Sequence, residues 1–101
     1  MGKTPDHLLV VRAQVDGAAE DAWNTWYDEK HLPEIASCPG FLTANRYVCE
    51  SEGRREYLTV YTLESEAALK SPEFSSRRGW EQFASHVKAD VRYFKRRGGV
   101  T

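Results

Sequence analysis

The chain is poor in the features that most readily assign a function. Its 101 residues hold only two cysteines, Cys38 and Cys49. They are not spaced as a CxxC pair and have no neighbouring histidine at metal-ligand spacing, so no metal site is expected and a reduced setting is. An excess of charge of one sign is missing as well: 14 Lys and Arg stand against 15 Asp and Glu, for a formal net charge of -1. That balance argues against a nucleic-acid partner, whose binders carry a basic excess. The longest apolar run, Leu8 to Val11, is far below the roughly 20 residues of a membrane-spanning helix. Polar residues from Met1 to Asp6 lead directly into a strand pattern without a secretory signal, so no membrane partner is expected and a cytoplasmic location is. Glycine-rich phosphate loops, G-x-S-x-G and H-E-x-x-H are all absent. Nucleotide, serine-hydrolase and zinc-protease chemistry thereby lose their usual signatures, and no cofactor is expected.

What is present is the balance of a globular domain, 41% hydrophobic and 29% charged, read as one domain over residues 1–101. Residues 7–15 read as a first strand, with Leu9, Val11, Ala13 and Val15 on one face. Asp16-Gly17 breaks it, and Asp16 is placed to cap the helix that follows. In that helix the i, i+4 row runs through Ala19, Trp23, Tyr27, His31 and Ile35, with a kink or restart expected near Leu32 because Pro33 lacks an amide donor. Residues 41–49 read as a second strand, with Phe41 and Tyr47 on one face and Leu42, Ala44 and Val48 on the other. A loop over 50–55 and a third strand over 57–63 follow. Ser71-Pro72 reads as a second helix start, with Trp80, Phe83, Ala84 and Val87 as its buried stripe and Gly79 as an interruption. Residues 91–94 read as a fourth strand, before a basic tail.

The order is βαββαβ, which is the ferredoxin-like α+β arrangement of a four-stranded antiparallel sheet with two helices on one face. Leu8, Val10, Leu58 and Val60 then fall on the face that the helices do not cover. A second copy of the chain, sheet against sheet, is the expected partner, giving a homodimer.

His31 is the nearest approach to a general base. Asp28 lies one turn before it and is placed to orient the imidazole. The same histidine also suits a plainer role, capping carbonyls at the interrupted helix end. The aromatic set is rich, and at least half of it, Trp23 first, belongs in the core; Tyr47 and Tyr61 lie on neighbouring strands with polar tips suited to polarising a carbonyl. Trp26, Tyr27, Arg46, Trp80, Phe83 and His86 complete the expected substrate-lining set. A basic cluster, Lys88, Arg92, Lys95, Arg96 and Arg97, is suited to attracting an anion or to shielding a sheet edge.

With these residues in place, the chain resembles the dimeric α+β barrel superfamily, and within it the EthD-like small proteins of bacterial catabolic and biosynthetic clusters. The resemblance rests on D-x-x-H-x-P at Asp28, His31 and Pro33, on P-G-F from Pro39 to Phe41, and on A-x-R-Y at Ala44, Arg46 and Tyr47. It implies a homodimer whose sheets form a barrel, with a pocket between sheet and helices in each subunit and His31 in the place of the motif histidine. Activities in the superfamily include isomerase, cyclase, lyase, cofactor-free monooxygenase and haem-degrading types. The expected function is a cofactor-independent enzyme acting on a hydrophobic aromatic or polyketide-like carbonyl compound, with His31 removing a proton and Tyr47 or Tyr61 stabilising the enolate. A non-catalytic ligand-binding or accessory protein is the alternative.

Overall fold

The computed structural model describes residues 4–100. The absence of a secretory signal and the outer limits of the domain, read in part from residues 1–3 and 101, lie outside the described residues. Four strands, β1 (His7–Val15), β2 (Phe41–Ser51), β3 (Arg54–Leu63) and β4 (Val87–Lys95), form one antiparallel sheet in the order β2-β3-β1-β4. In the register of β1 on β3, Leu9 faces Tyr61, Val11 faces Thr59 and Ala13 faces Tyr57, a continuous buried stripe. Three short helices, α1 (Glu20–Trp26), α2 (Leu32–Ala36) and α3 (Pro72–Arg77), pack on this stripe through Trp23, Ile35 and Phe74. The result is the ferredoxin-like α+β fold expected from the sequence. Trp23 is fully buried; at about 25 cal/mol per Å2 over the 150–250 Å2 of a large aromatic side chain, that burial contributes roughly 4–6 kcal/mol.

The departures from the expected pattern have local physical causes. The first helical segment is built from a 3-10 turn, α1, a π-helical turn over Tyr27–His31, and α2. Pro33 brings no N–H, and its ring crowds the carbonyl four residues back. A widened turn just before it relieves that conflict. Asp16 does not cap this segment with its side chain. Its carboxylate meets His86 Nδ1 at 3.1 Å, and its main-chain oxygen accepts from Ala19 N at 2.9 Å.

In β2 a bulge between Phe41 and Thr43 shifts the alternation by one. Phe41 therefore shares its face with Ala44 and Arg46, opposite Tyr61 and Thr59, while Tyr47 lies opposite Leu58 on the outer face. The expected loop over 50–55 shrinks to Glu52-Gly53, with φ of 54° and 76°, the paired positive φ of a two-residue hairpin turn. The second helix is much shorter than its apolar stripe suggested. Ser71 caps α3 as expected, its Oγ accepting from Phe74 N at 3.1 Å. The helix then stops at Arg77, Arg78 is extended, and Gly79 takes φ 106°. A 3-10 turn over Glu81–His86 carries Phe83, and Val87 already begins β4.

Candidate functional site

A cavity of about 110 Å3 opens between the sheet and the helices. Leu9, Val11 and Val91 form its floor on the sheet. Tyr27, His31 and Ile35 come from the π turn and α2, Phe74 from α3, and Arg78, Gly79 and Trp80 from the segment after it; Tyr61 enters from β3. The i, i+4 relation on the first helical segment is what brings Tyr27 and His31 to the same wall.

His31 is buried, 5% exposed, and its ring meets aromatic faces on three sides. Trp26 stacks on it at 4.6 Å between centroids and 15° between planes, Tyr27 meets it edge-on at 4.9 Å, and Trp80 lies at 5.6 Å. Burial pushes the imidazole down to about 4 from 6.5; Glu81 opposes the shift, and the charges of Arg46 and Lys30 add to it. His31 is thus held neutral. Thr59 Oγ1 donates to the Tyr27 hydroxyl at 2.9 Å, and the Tyr27 and Tyr61 hydroxyl oxygens are 3.4 Å apart. Both tyrosines are raised above their ordinary value by burial and stay protonated.

Of the residues singled out in the sequence, His31, Tyr61, Tyr27 and Trp80 share this cavity, and Trp26 supports His31 from behind. The others lie elsewhere. Asp28 does not orient His31; its Oδ1 accepts from Arg46 Nη1 at 2.6 Å. Arg46 belongs to the neighbouring core: its guanidinium lies 4.2 Å from the Tyr27 ring centroid and 5.1 Å from that of Trp23, and its Nη2 donates to Asn24 Oδ1 at 2.8 Å. The bulge in β2 turns Tyr47 to the outer face, 56% exposed. Phe83 is buried in the second core cluster against Trp26, at 5.4 Å. His86 ends the 3-10 turn beside Asp16. The sequence reading missed Arg78 and Gly79 as cavity residues. The one available signal was Gly79 itself, which marks a break where flanking side chains leave a helical stripe.

Chemically, the cavity is a largely apolar slot lined by one neutral imidazole and by two tyrosines whose hydroxyls meet one another. Among the described residues no three His, Cys, Asp or Glu side chains converge as metal ligands do, and no helix is long and apolar enough to cross a membrane.

Several solved structures share the fold. SnoaB, a cofactor-independent oxygenase from Streptomyces nogalater, is 16% identical with a TM-score of 0.71, over 96% of this chain and 98% of that one. A monooxygenase of Streptomyces coelicolor, solved in complex with nanaomycin D, is 22% identical with a TM-score of 0.59, over 96% and 92%. The haem-degrader MhuD of Mycobacterium tuberculosis is 17% identical with a TM-score of 0.65, over 94% and 99%. At these identities the likeness is one of fold. No curated protein matches the sequence. The EthD-like group named from the sequence motifs is not shown by these comparisons; residues 7–96 match the model described as Domain of unknown function (DUF4286). Spanning nearly the whole described chain, that match makes this protein a member of the DUF4286 family.

Proposed function

We propose that the chain is a cofactor-independent enzyme acting on a hydrophobic aromatic or polyketide-like carbonyl compound, with oxygenation as the favoured outcome. The observation that carries this reading is a buried, neutral His31 that lines the same apolar cavity as Tyr61. His31 takes a proton from a CH2 carbon that the substrate carbonyl acidifies, either next to it or conjugated with it through an aromatic ring, and the electron pair moves onto the carbonyl oxygen as an enolate. With Thr59 donating to Tyr27 and Tyr27 onward to Tyr61, Tyr61 keeps its own proton for the enolate oxygen. Addition of dioxygen at the enolate carbon, followed by loss of water, leaves a new carbonyl; return of the proton at another carbon instead gives isomerisation. A histidine whose conjugate acid ionises near 4 is a weak base. It suits a substrate with an acidified C–H, as in an anthrone or a 1,3-dicarbonyl, where the enolate formed beside it stabilises the imidazolium.

Two structural neighbours, the cofactor-independent oxygenase SnoaB and the monooxygenase solved with nanaomycin D, support this outcome over the other reactions of the enolate. The cavity, at about 110 Å3, is below the roughly 300–1,000 Å3 that encloses a drug-sized ligand. A single ring of a larger substrate enters, and the remainder lies at the mouth. The same reading pairs the subunit with a second copy through the uncovered face of the sheet. The test is oxygen uptake and product analysis with a panel of anthrones and aromatic 1,3-diketones, using wild type and His31→Ala. The expected result is turnover that falls by about 10²–10⁴-fold in the variant. Equal rates would remove His31 from the mechanism, and tight binding of the panel without turnover would favour the ligand-binding alternative.

A further inference from the structure

The lining of the cavity is neutral except at one point. Arg78 stands at its rim, exposed, while His31 is buried within. Its backbone is fixed, because its N–H donates to Phe74 O at 3.0 Å and Gly79 beside it holds φ 106°. Its guanidinium lies 5.4 Å from the ring centroid of Phe74, which is itself buried and lines the same cavity. Stacking on a ring occupies the flat face of a guanidinium and leaves the N–H donors along its edge for another partner. Arg12, Arg46, Arg55, Arg92 and Arg96 each pair with a carboxylate, and Arg77 donates to Glu34 O and Ser37 Oγ. Arg78, like Arg54 and Arg97, makes no such bond among the described residues, but of these three only Arg78 lines the cavity. A cation fixed at the mouth of an apolar slot, with its donors unused, is suited to a planar anion.

We infer that Arg78 determines specificity by receiving a substrate carboxylate at the cavity mouth, while the substrate's ring occupies the slot beside His31 and Tyr61. The substrate class is then an aromatic carbonyl compound bearing a carboxylate on the part that stays outside. This rests on the proposed function for its account of the ring, but it concerns binding and is tested apart from turnover. The small volume supports it: about 110 Å3 is less than the roughly 150 Å3 of a cavity that holds one benzene ring, so one ring at most enters and the rest of a substrate meets the rim.

The experiment measures binding by quenching of tryptophan fluorescence, to which Trp80 in the lining should contribute, at low and at physiological salt. The probes are benzoate, phenylacetate and 3-phenylpropanoate, each against its neutral amide, so that the spacer varies the reach from slot to rim. The proteins are wild type, Arg78→Gln, Arg78→Lys and His31→Ala, with circular dichroism to confirm the fold. For at least one spacer, wild type should prefer the acid by about 5- to 10-fold, the scale of a charge-assisted bond. Arg78→Gln should abolish that preference while leaving amide affinity within about twofold, and Arg78→Lys should retain part of it, since lysine keeps the charge without the fork. Equal binding of acid and amide at every spacer, a preference that survives Arg78→Gln, or no binding of any probe would each overturn the inference. An acid preference without turnover of any substrate would overturn the proposed chemistry and leave the Arg78 site standing. Turnover that depends on His31 without an acid preference would do the reverse.

Discussion

Burial, reinforced by Arg46 and Lys30 and opposed by Glu81, takes His31 from 6.5 to about 4, so its imidazole is neutral and able to accept a proton at any pH above about 5. Sequence spacing placed Asp28 to orient the imidazole, but Asp28 is engaged by Arg46. The expected activity profile is flat from about pH 5.5 to 8 and falls below that with a midpoint near 4. An NMR titration of the His31 ring checks the assignment directly, and a midpoint above about 6 would contradict it. The same shift has a sign for stability. Between 6.5 and about 4 the unfolded chain binds the proton and the folded chain does not, so stability is fully present above 6.5 and declines as the pH falls through that window. The full shift corresponds to about 3 kcal/mol. Urea unfolding of wild type at pH 7 and pH 4.5 should show most of this loss, and His31→Gln should show clearly less, other acid-sensitive groups being common to both.

At the scale of elements, Gly40 shows where backbone and packing leave no choice. It joins α2 to β2 with φ 85°, and a Cβ there would lie 2.8 Å from Ala68 Cβ and 3.3 Å from Ala68 Cα. Its carbonyl also accepts from Glu64 N at 2.8 Å, tying the start of β2 to the end of β3. Gly40→Ala therefore meets a strained backbone and a close contact together, with an expected loss of about 2–4 kcal/mol in chemical denaturation. Gly17 has no positive φ, and a Cβ there would meet no atom within 4 Å. Gly17→Ala should change stability by less than about 0.5 kcal/mol, and equal losses at both positions would refute the distinction.

The same elements explain what was legible beforehand. Alternation in β1 and the row Trp23, Tyr27, His31 are local properties of the chain, and both correspond to the buried faces found. The facing of Tyr47 and Arg46 depends on the bulge after Phe41, which no alternation rule contains. The spacing of Trp80, Phe83, Ala84 and Val87 fits a helix, yet the left-handed Gly79 ends the helical path before the first of them. Arg78 carries no periodic signal at all, because an exposed cation at a chain break belongs to no stripe.

For the whole molecule, the shape already points to a missing layer. The shortest extent is 22 Å, about the thickness of one sheet and one layer of helices at roughly 10 Å each. The outer face of that sheet is nonetheless apolar at its centre: Leu8 neighbours Phe94 and Thr62, Val10 neighbours Val60, and Leu58 lies between Arg12 and Tyr47. Leu8, Val10, Leu58 and Val60 remain half-buried, while Phe94 is 47% and Tyr47 56% exposed. Four strands at about 4.8 Å spacing and about nine residues in length present roughly 600 Å2 in projection, enough accessible surface for the ~800 Å2 per partner of a stable interface. We therefore expect a dimer at micromolar concentration in sedimentation velocity. Val60→Asp tests it, because Val60 sits opposite both Val10 and Asn45 near the centre of the face. In a lone subunit the new carboxylate reaches water and the fold stands, as circular dichroism should show. In a two-fold dimer it is buried twice without a partner, which should raise the dissociation constant at least ~100-fold. A wild-type chain that sediments as a compact monomer, or a variant that dimerises as tightly as wild type, would place the partner of this face elsewhere.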